Sequence, residues 1–329
     1  MLLPDKTIKE IESAKNKIDR SRLDQFTKTL FERLEREAMR NASIQDKDNF
    51  NRAEEVTEQF VNGWNYAMAH YDGRISLPFI RGIAGHVEPC LFNSEPQKTS
   101  DLAPIRNHGG TSLPGMGYMP PSDRYRVEMD LERTLHVVDN QDLHPVEEAL
   151  YLYFHLSRIQ PFEHGNKRTA NIVMNSILRG NQFAPLSIPS AEVPVYEAYL
   201  AEAIRDFQRI GTEIAEPSER YTTVGPNQQQ FYNFFAKREL NALLQAHDTL
   251  KGLPTYHIKL KCKKPGAMYS AKHVISNWFR AHDTPFQEHL NTNKQELTVV
   301  GDIPRGTLTK TLDRVHGIDS YDIKYNGKK

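Results

Sequence analysis

The sequence predicts a mainly α fold with a small α+β module at its C-terminal end. Three observations carry that expectation. Apolar residues recur at helical spacing through most of the first two thirds of the 329 residues. After Tyr256 the pattern changes to a basic, partly alternating run, His257-Ile258-Lys259-Leu260-Lys261-Cys262, with the two-residue period of a strand. Hydrophobic residues make up 38% of the chain, with 15 Phe and 14 Tyr, which is ample for packed cores and excludes a disordered chain.

The expected organisation is a helical cap over 1–72, a core over 73–216 and a C-terminal module over 217–329. In the cap, Ile8, Ile11, Ile18, Leu23, Phe26, Leu30 and Leu34 mark one or two amphipathic helices. A second helical stretch from about Glu54 to Ala69 stacks Val56, Phe60, Trp64 and Met68. From Gly73 to Pro121 the chain is rich in Gly, Pro, Asn and Ser, and Asn107-His108-Gly109-Gly110 to Gly117 reads as a turn-laden loop or hairpin. A long irregular stretch in a compact domain is typically a lid, a binding loop or a disordered segment.

Helical spacing returns with Pro145 as a first-turn residue, followed by Val146, Ala149, Leu150, Tyr153 and Phe154. That helix runs into Pro161, which pushes its predecessor out of the helical region. A short loop, Phe162-Glu163-His164-Gly165-Asn166, precedes a second stripe of Ala170, Val173, Met174, Ile177 and Leu178. A further helix covers about Pro194 to Phe207, and the punctuation at 215–218 marks a domain boundary.

The segment Gln160-Pro161-Phe162-Glu163-His164-Gly165-Asn166-Lys167-Arg168 is where chemistry is expected. A Gly-Asn pair before a helix leaves backbone N–H groups pointing forward, where the helix dipole favours negative charge. Lys167 and Arg168 add two cations, so the loop has the makings of a phosphate site; a capped helix start with two solvated cations is the plainer alternative.

The same stretch resembles the signature of the Fic (Fido) family, His-x-Phe-x-(Asp/Glu)-Gly-Asn-(Gly/Lys)-Arg. Pro161, Phe162, Glu163, Gly165, Asn166, Lys167 and Arg168 carry the likeness. His155 to Ile159 looks like the family's lead-in, Gly117-Tyr118-Met119-Pro120-Pro121 like the end of its target-positioning flap, and Thr169-Ala170-Asn171 like the Doc branch. The resemblance spans roughly Gly73 to Phe207. It implies a Fic-like helical core with a β-hairpin flap that transfers AMP from ATP, with Mg²⁺, to a hydroxyl of a target protein. In that picture Phe162, Gly165, Asn166, Lys167 and Arg168 hold the nucleotide, and the flap near 105–121 positions the protein target.

The sequence departs from the family pattern at two positions. Gln160 stands where the family has its catalytic histidine, and an amide orients a hydroxyl but accepts no proton near neutrality. That loss is worth roughly 10²- to 10⁴-fold in rate. His164 stands where the family has its metal-binding acid, and imidazole is a poor ligand for Mg²⁺. Glu163 is one position off and is not assigned the metal, so no metal ligand is named.

Three readings follow: a nucleotide-binding Fic-like protein degenerate for AMP transfer, an active transferase whose base is His164 or His108, or a chain in which Gln160 replaces a natural histidine by engineering. His155, on a largely apolar helix face, is read as structural. Thr57 to Gly63 approaches the family's inhibitory motif but lacks its glutamate, so autoinhibition by that route is not expected.

In the C-terminal module a helix is expected around Ala271 to Ala281. Ile303 to Val315 is read as part of a helix-turn-helix, with 321–325 as a wing. The module resembles a winged helix, which implies nucleic-acid contact through 257–314; docking onto a protein is the preferred alternative. The 42 Lys+Arg and 42 Asp+Glu balance overall, but from Pro217 onward the count is 17 against 10. That surplus is modest for a DNA reader.

No apolar run reaches the ~18–20 residues of a membrane helix. The two cysteines, Cys90 and Cys262, draw no disulfide framework, so a cytoplasmic protein with no membrane partner is expected, export by a dedicated system being the alternative. Nothing in the sequence sets an oligomeric state.

Overall fold

The computed structural model describes residues 2–18, 50–93, 102–108, 118–188, 192–214, 216, 218–249, 255–264, 266–281, 286–291, 295–301 and 303–326. They fall into two compact units, one holding residues 2–15 and 50–242, the other 16–18 and 243–326.

The first unit is built from helices. Helix α1 (Asp5–Lys15) buries Ile11 and Ala14; the rest of the expected N-terminal helical region, over 19–49, lies outside the described residues. Helix α2 (Phe50–His70) seats Gly63 and Ala67 deepest, with Phe60, Trp64 and Met68 half-buried beside them. Gly63 permits this close approach, since a Cβ there would lie 2.5 Å from Val87 Cγ2.

Among the described residues, the stretch expected to be irregular from Gly73 to Pro121 contains one well-formed helix and a 3₁₀ turn, and a further helix not assigned from the sequence follows it. Helix α3 (Leu77–Val87) starts at Ser76, whose hydroxyl accepts from the Phe79 N–H at 3.3 Å, and has a proline in its first turn. It is nearly all buried, so it has no polar face whose period would reveal it. A 3₁₀ turn (Pro89–Asn93) follows. Helix α4 (Arg124–Asn140) is capped by Asp123, which accepts from the Arg126 N–H at 3.0 Å. It buries only Val127, Asp130, Leu131, Thr134 and Val137, a stripe with two polar members. The flap expected over 105–121 falls largely on residues 109–117, outside the described residues; Tyr118 forms an isolated bridge at its end.

Helix α5 (Pro145–Ile159) runs through the centre of this unit and is buried on almost every side. His144 and Glu147 form a reciprocal cap, and the Glu147 carboxylate also accepts from the Leu2 and Leu3 N–H groups at 2.5 and 2.7 Å. The chain's N-terminal residues are thereby pinned to the start of the central helix.

After the loop come α6 (Asn166–Gly180), α7 (Val193–Glu213) and α8 (Pro226–Thr249). Phe231, Tyr232 and Phe235 of α8 pack on Tyr153 and Phe154 of α5, with Tyr153 and Phe235 edge to face at 5.1 Å. That aromatic layer is why the first unit extends to residue 242, past the punctuation at 215–218.

The second unit runs β1 (Thr255–Cys262), α9 (Gly266–Ala281), β2 (Phe286–Asn291), β3 (Glu296–Gly301), α10 (Arg305–Asp313), β4 (Ile318–Asn326). Its sheet has the order β2-β3-β1-β4 with every neighbour antiparallel. This is a split β-α-β arrangement with a strand inserted between the members of each pair. The β2–β3 hairpin separates α9 from α10, so the expected helix-turn-helix is not formed, and β4 pairs along β1 as an integral strand in place of a wing. Tyr256, Ile258 and Leu260 face Met268, Ile275, Leu308 and Leu312 in one core. Lys259 and Lys261 therefore project from the opposite face of the sheet, while Arg305, Lys310 and Arg314 are exposed on or at the end of α10. These exposed cations lie on two opposed layers and do not form one surface.

Candidate functional site

The loop between α5 and α6 is held by its backbone. Gln160 ends α5 in the left-handed region (φ 49°, ψ 66°) and is itself buried. That conformation costs a non-glycine residue roughly 1–2 kcal/mol, and a buried arginine offsets it. Arg106 donates from Nε to the Gln160 carbonyl at 2.6 Å and from Nη2 to the Ile159 carbonyl at 3.0 Å, while its own N–H reaches the Pro161 carbonyl at 3.0 Å. A third bond from the Arg106 guanidinium goes to the His108 carbonyl. The base of the flap is thus fastened to the C-terminal end of α5, satisfying carbonyls that a helix end leaves open.

Asn166 supplies the second clamp. Its side chain accepts from the Phe162 N–H at 2.9 Å and donates to the Phe162 carbonyl at 2.7 Å, closing the loop on itself, with the Phe162 ring fully buried beneath. Asn166 and Phe162 therefore shape the cradle from inside it.

Gly165 forms the turn into α6 at φ +74° with no side-chain cap on the helix. A Cβ there would sit 3.2 Å from Val87 Cγ1 and 3.3 Å from Glu88 Cβ. The absence of a side chain lets the end of α3 pack against the turn, and no side chain caps the first N–H groups of α6, the groups that bind anions at helix starts.

The two cations of the first turn are both engaged. Exposed Lys167 reaches Glu197 at 3.0 Å. Arg168 points back to the end of α3, where Nη2 meets Glu88 Oε2 at 2.5 Å and Nη1 meets the Val87 carbonyl at 3.1 Å; Gln59 of α2 lies 3.4 Å away. Glu88, invisible as a site residue in the sequence, is thus a built-in anion at the arginine expected to bind phosphate. Gln59 belongs to the segment whose likeness to an inhibitory motif lacks the glutamate.

At the loop's outer edge His164 is exposed. Glu163 and His108, both exposed, form a pair at 2.7 Å, Oε1 to Nε2. His155 is buried on α5, where burial drives its pKa well below the usual value and keeps it neutral; its Nδ1 accepts from Arg158 at 3.2 Å. Among the described residues no three His, Cys, Asp or Glu converge as a metal cluster.

Residues 91–178 match the family model described as the Fic/DOC family. The chain carries a Fic/DOC domain. That domain's loop and the helices on either side of it are the Gln160–Arg168 segment with α5 and α6.

The chain is similar to the protein adenylyltransferase Fic of Drosophila persimilis. The two are 31% identical over 144 residues, 43% of this chain and 26% of that protein. The protein of the same name from Drosophila melanogaster is 30% identical over 144 residues, 43% of this chain and 27% of that protein. The chain spans about a quarter of the length of these curated relatives. Its fold is shared with a Fic domain-containing signaling protein from Bacteroides thetaiotaomicron, at 17% identity and a TM-score of 0.56, covering 74% of this chain and 97% of that one. No helix among the described residues is long and apolar enough to cross a membrane.

Proposed function

We propose that the Fic/DOC loop binds the phosphates of a nucleotide, ATP or a close relative, and that AMP transfer to a protein hydroxyl is degenerate in this chain. The observation that carries the reading is Gly165. Its left-handed backbone starts α6 with no side-chain cap on the first N–H groups, with Arg168 in the first turn behind it. In this reading the N–H groups of α6 take the phosphate oxygens, and Arg168 leaves Glu88 to pair with the phosphate as a fork. Phe162 and Asn166 hold the cradle in shape. Any residual transfer would join the AMP group of the nucleotide to the target hydroxyl with pyrophosphate leaving, and the flap residues on either side of 109–117 would present the protein target.

Degeneracy rests on Gln160 and His164. The Gln160 amide offers a hydrogen bond but no proton acceptor. With Glu163 held by His108 and an imidazole at 164, the donor set does not suit Mg²⁺, a hard cation that prefers oxygen.

The His108–Glu163 pair favours a second reading, in which transfer persists with a relocated base. A histidine 2.7 Å from a carboxylate is oriented by it, as a general base must be. Labelled ATP with candidate protein targets separates the two. Binding without transfer, with transfer appearing in Gln160→His, supports the degenerate binder. Transfer by the unaltered chain that His108→Ala abolishes overturns it.

A further inference from the structure

On another part of the first unit, a cavity of about 310 Å³ opens between α4, the end of α5, α7 and Tyr118. Arg126, Arg133, Arg158 and Arg220 line it with Asp130 as the one carboxylate, and Phe207 and Met119 among its apolar walls. None of these residues belongs to the Gln160–Arg168 loop.

Its charge is unbalanced where balance matters most. Arg158, 2% exposed, donates to Asp130 at 2.8 Å, while Arg220 approaches the other oxygen of the same carboxylate at 3.5 Å. That second oxygen also accepts from the Tyr221 hydroxyl. One carboxylate thus serves two largely buried guanidinium groups. Both stack on the Phe207 ring, at 4.1 and 4.7 Å from its centroid.

The Nε groups of Arg158 and Arg220 are buried and have no hydrogen-bond partner among the described residues. A buried cation lacking full compensation is costly, and buried charges are ordinarily paired. At the rim, Arg126 pairs with Asp123 at 3.5 Å, but no carboxylate lies within ion-pair distance of Arg133 among the described residues.

We propose that this cavity is a second anion site, taking the phosphates of a small phosphorylated molecule. Four guanidinium groups against the Asp130 and Asp123 carboxylates leave two positive charges uncompensated, which suits a ligand with two or more negative charges, recognised through paired N–H donors. A cavity of about 310 Å³ takes a small molecule. The ring of Phe207 is already covered by two guanidinium groups, so recognition is by charge and not by stacking of a base.

The test is calorimetric titration of pyrophosphate into the full chain carrying Arg168→Ala, which silences the α6 loop. Binding at one site per chain is expected, weakened at least tenfold by Arg133→Glu and by Arg126→Glu. Arg205→Glu, at an exposed position of α7 that does not line the cavity, is expected to leave the affinity within about twofold. Absence of binding in the Arg168→Ala chain overturns the proposal. So does an affinity that Arg133→Glu leaves intact, or one that Arg205→Glu lowers equally.

Discussion

Arg168, in the first turn of α6, is paired with Glu88 at the end of α3 at 2.5 Å, although 80 residues separate them in the chain. The loop arginine expected to hold phosphate is therefore already neutralised by a carboxylate, and a nucleotide must displace it. Both side chains are part-exposed, at 27% and 19%, so solvent weakens the pair and exchange is affordable.

Glu88→Ala is accordingly expected to raise nucleotide affinity. A charge-assisted hydrogen bond contributes about 1.5–3 kcal/mol, discounted here for exposure, so the gain should be roughly tenfold. Titration with a fluorescent ATP analogue reads it directly; an unchanged or lower affinity would show that Glu88 does not compete.

Gly165→Ala places a side chain at φ +74° and against Val87 and Glu88. The expected cost is ~1–2 kcal/mol from the backbone alone. Nucleotide affinity should fall along with the urea midpoint of the first unit. An alanine variant as stable and as avid as the parent would mean that the turn needs no glycine.

Asp130 is the hub of a buried network. Burial pushes its carboxyl up, but Arg158, Tyr221 and Arg220 outweigh that and hold it below the ordinary range. A depressed carboxylate stabilises the fold above its unfolded pKa, and the contribution is lost as pH falls through the folded value. Asp130→Ala should destabilise by about 3–5 kcal/mol, because it strands Arg158, and should flatten the acid limb of a stability profile.

Glu239 has the opposite sign. Burial lifts its carboxyl to about 8, against a bond from the Ala184 N–H and the charge of Lys15, which lower it. Its contribution is fully present below the unfolded value near 4.5 and is lost as pH rises through about 8. Glu239→Gln keeps an oxygen for Ala184 and removes the titration, so chemical unfolding across pH 5 to 8.5, roughly the interval its shift spans, should lose that downward slope.

The loop itself was legible because its information is local: a glycine, an asparagine and two cations at a helix start state their geometry in four residues. Arg106 and Glu88, which fasten the loop and occupy its arginine, were not, because each meets its partner across more than fifty residues with no pattern at either end. Helix α3 escaped notice for want of a polar face, and α4 because charge crowds its buried stripe. In the C-terminal module the strand at 255–262 was readable from alternation. The pairing of β1 between β3 and β4 is non-local and overturned the helix-turn-helix inferred from spacing.

The central claim is that the start of α6 is a nucleotide site. Equilibrium binding of labelled ATP to the full chain and to its Arg168→Ala variant tests it most directly. The account predicts saturable binding that Arg168→Ala weakens at least tenfold; equal affinity in the two proteins, or no binding by either, would contradict it.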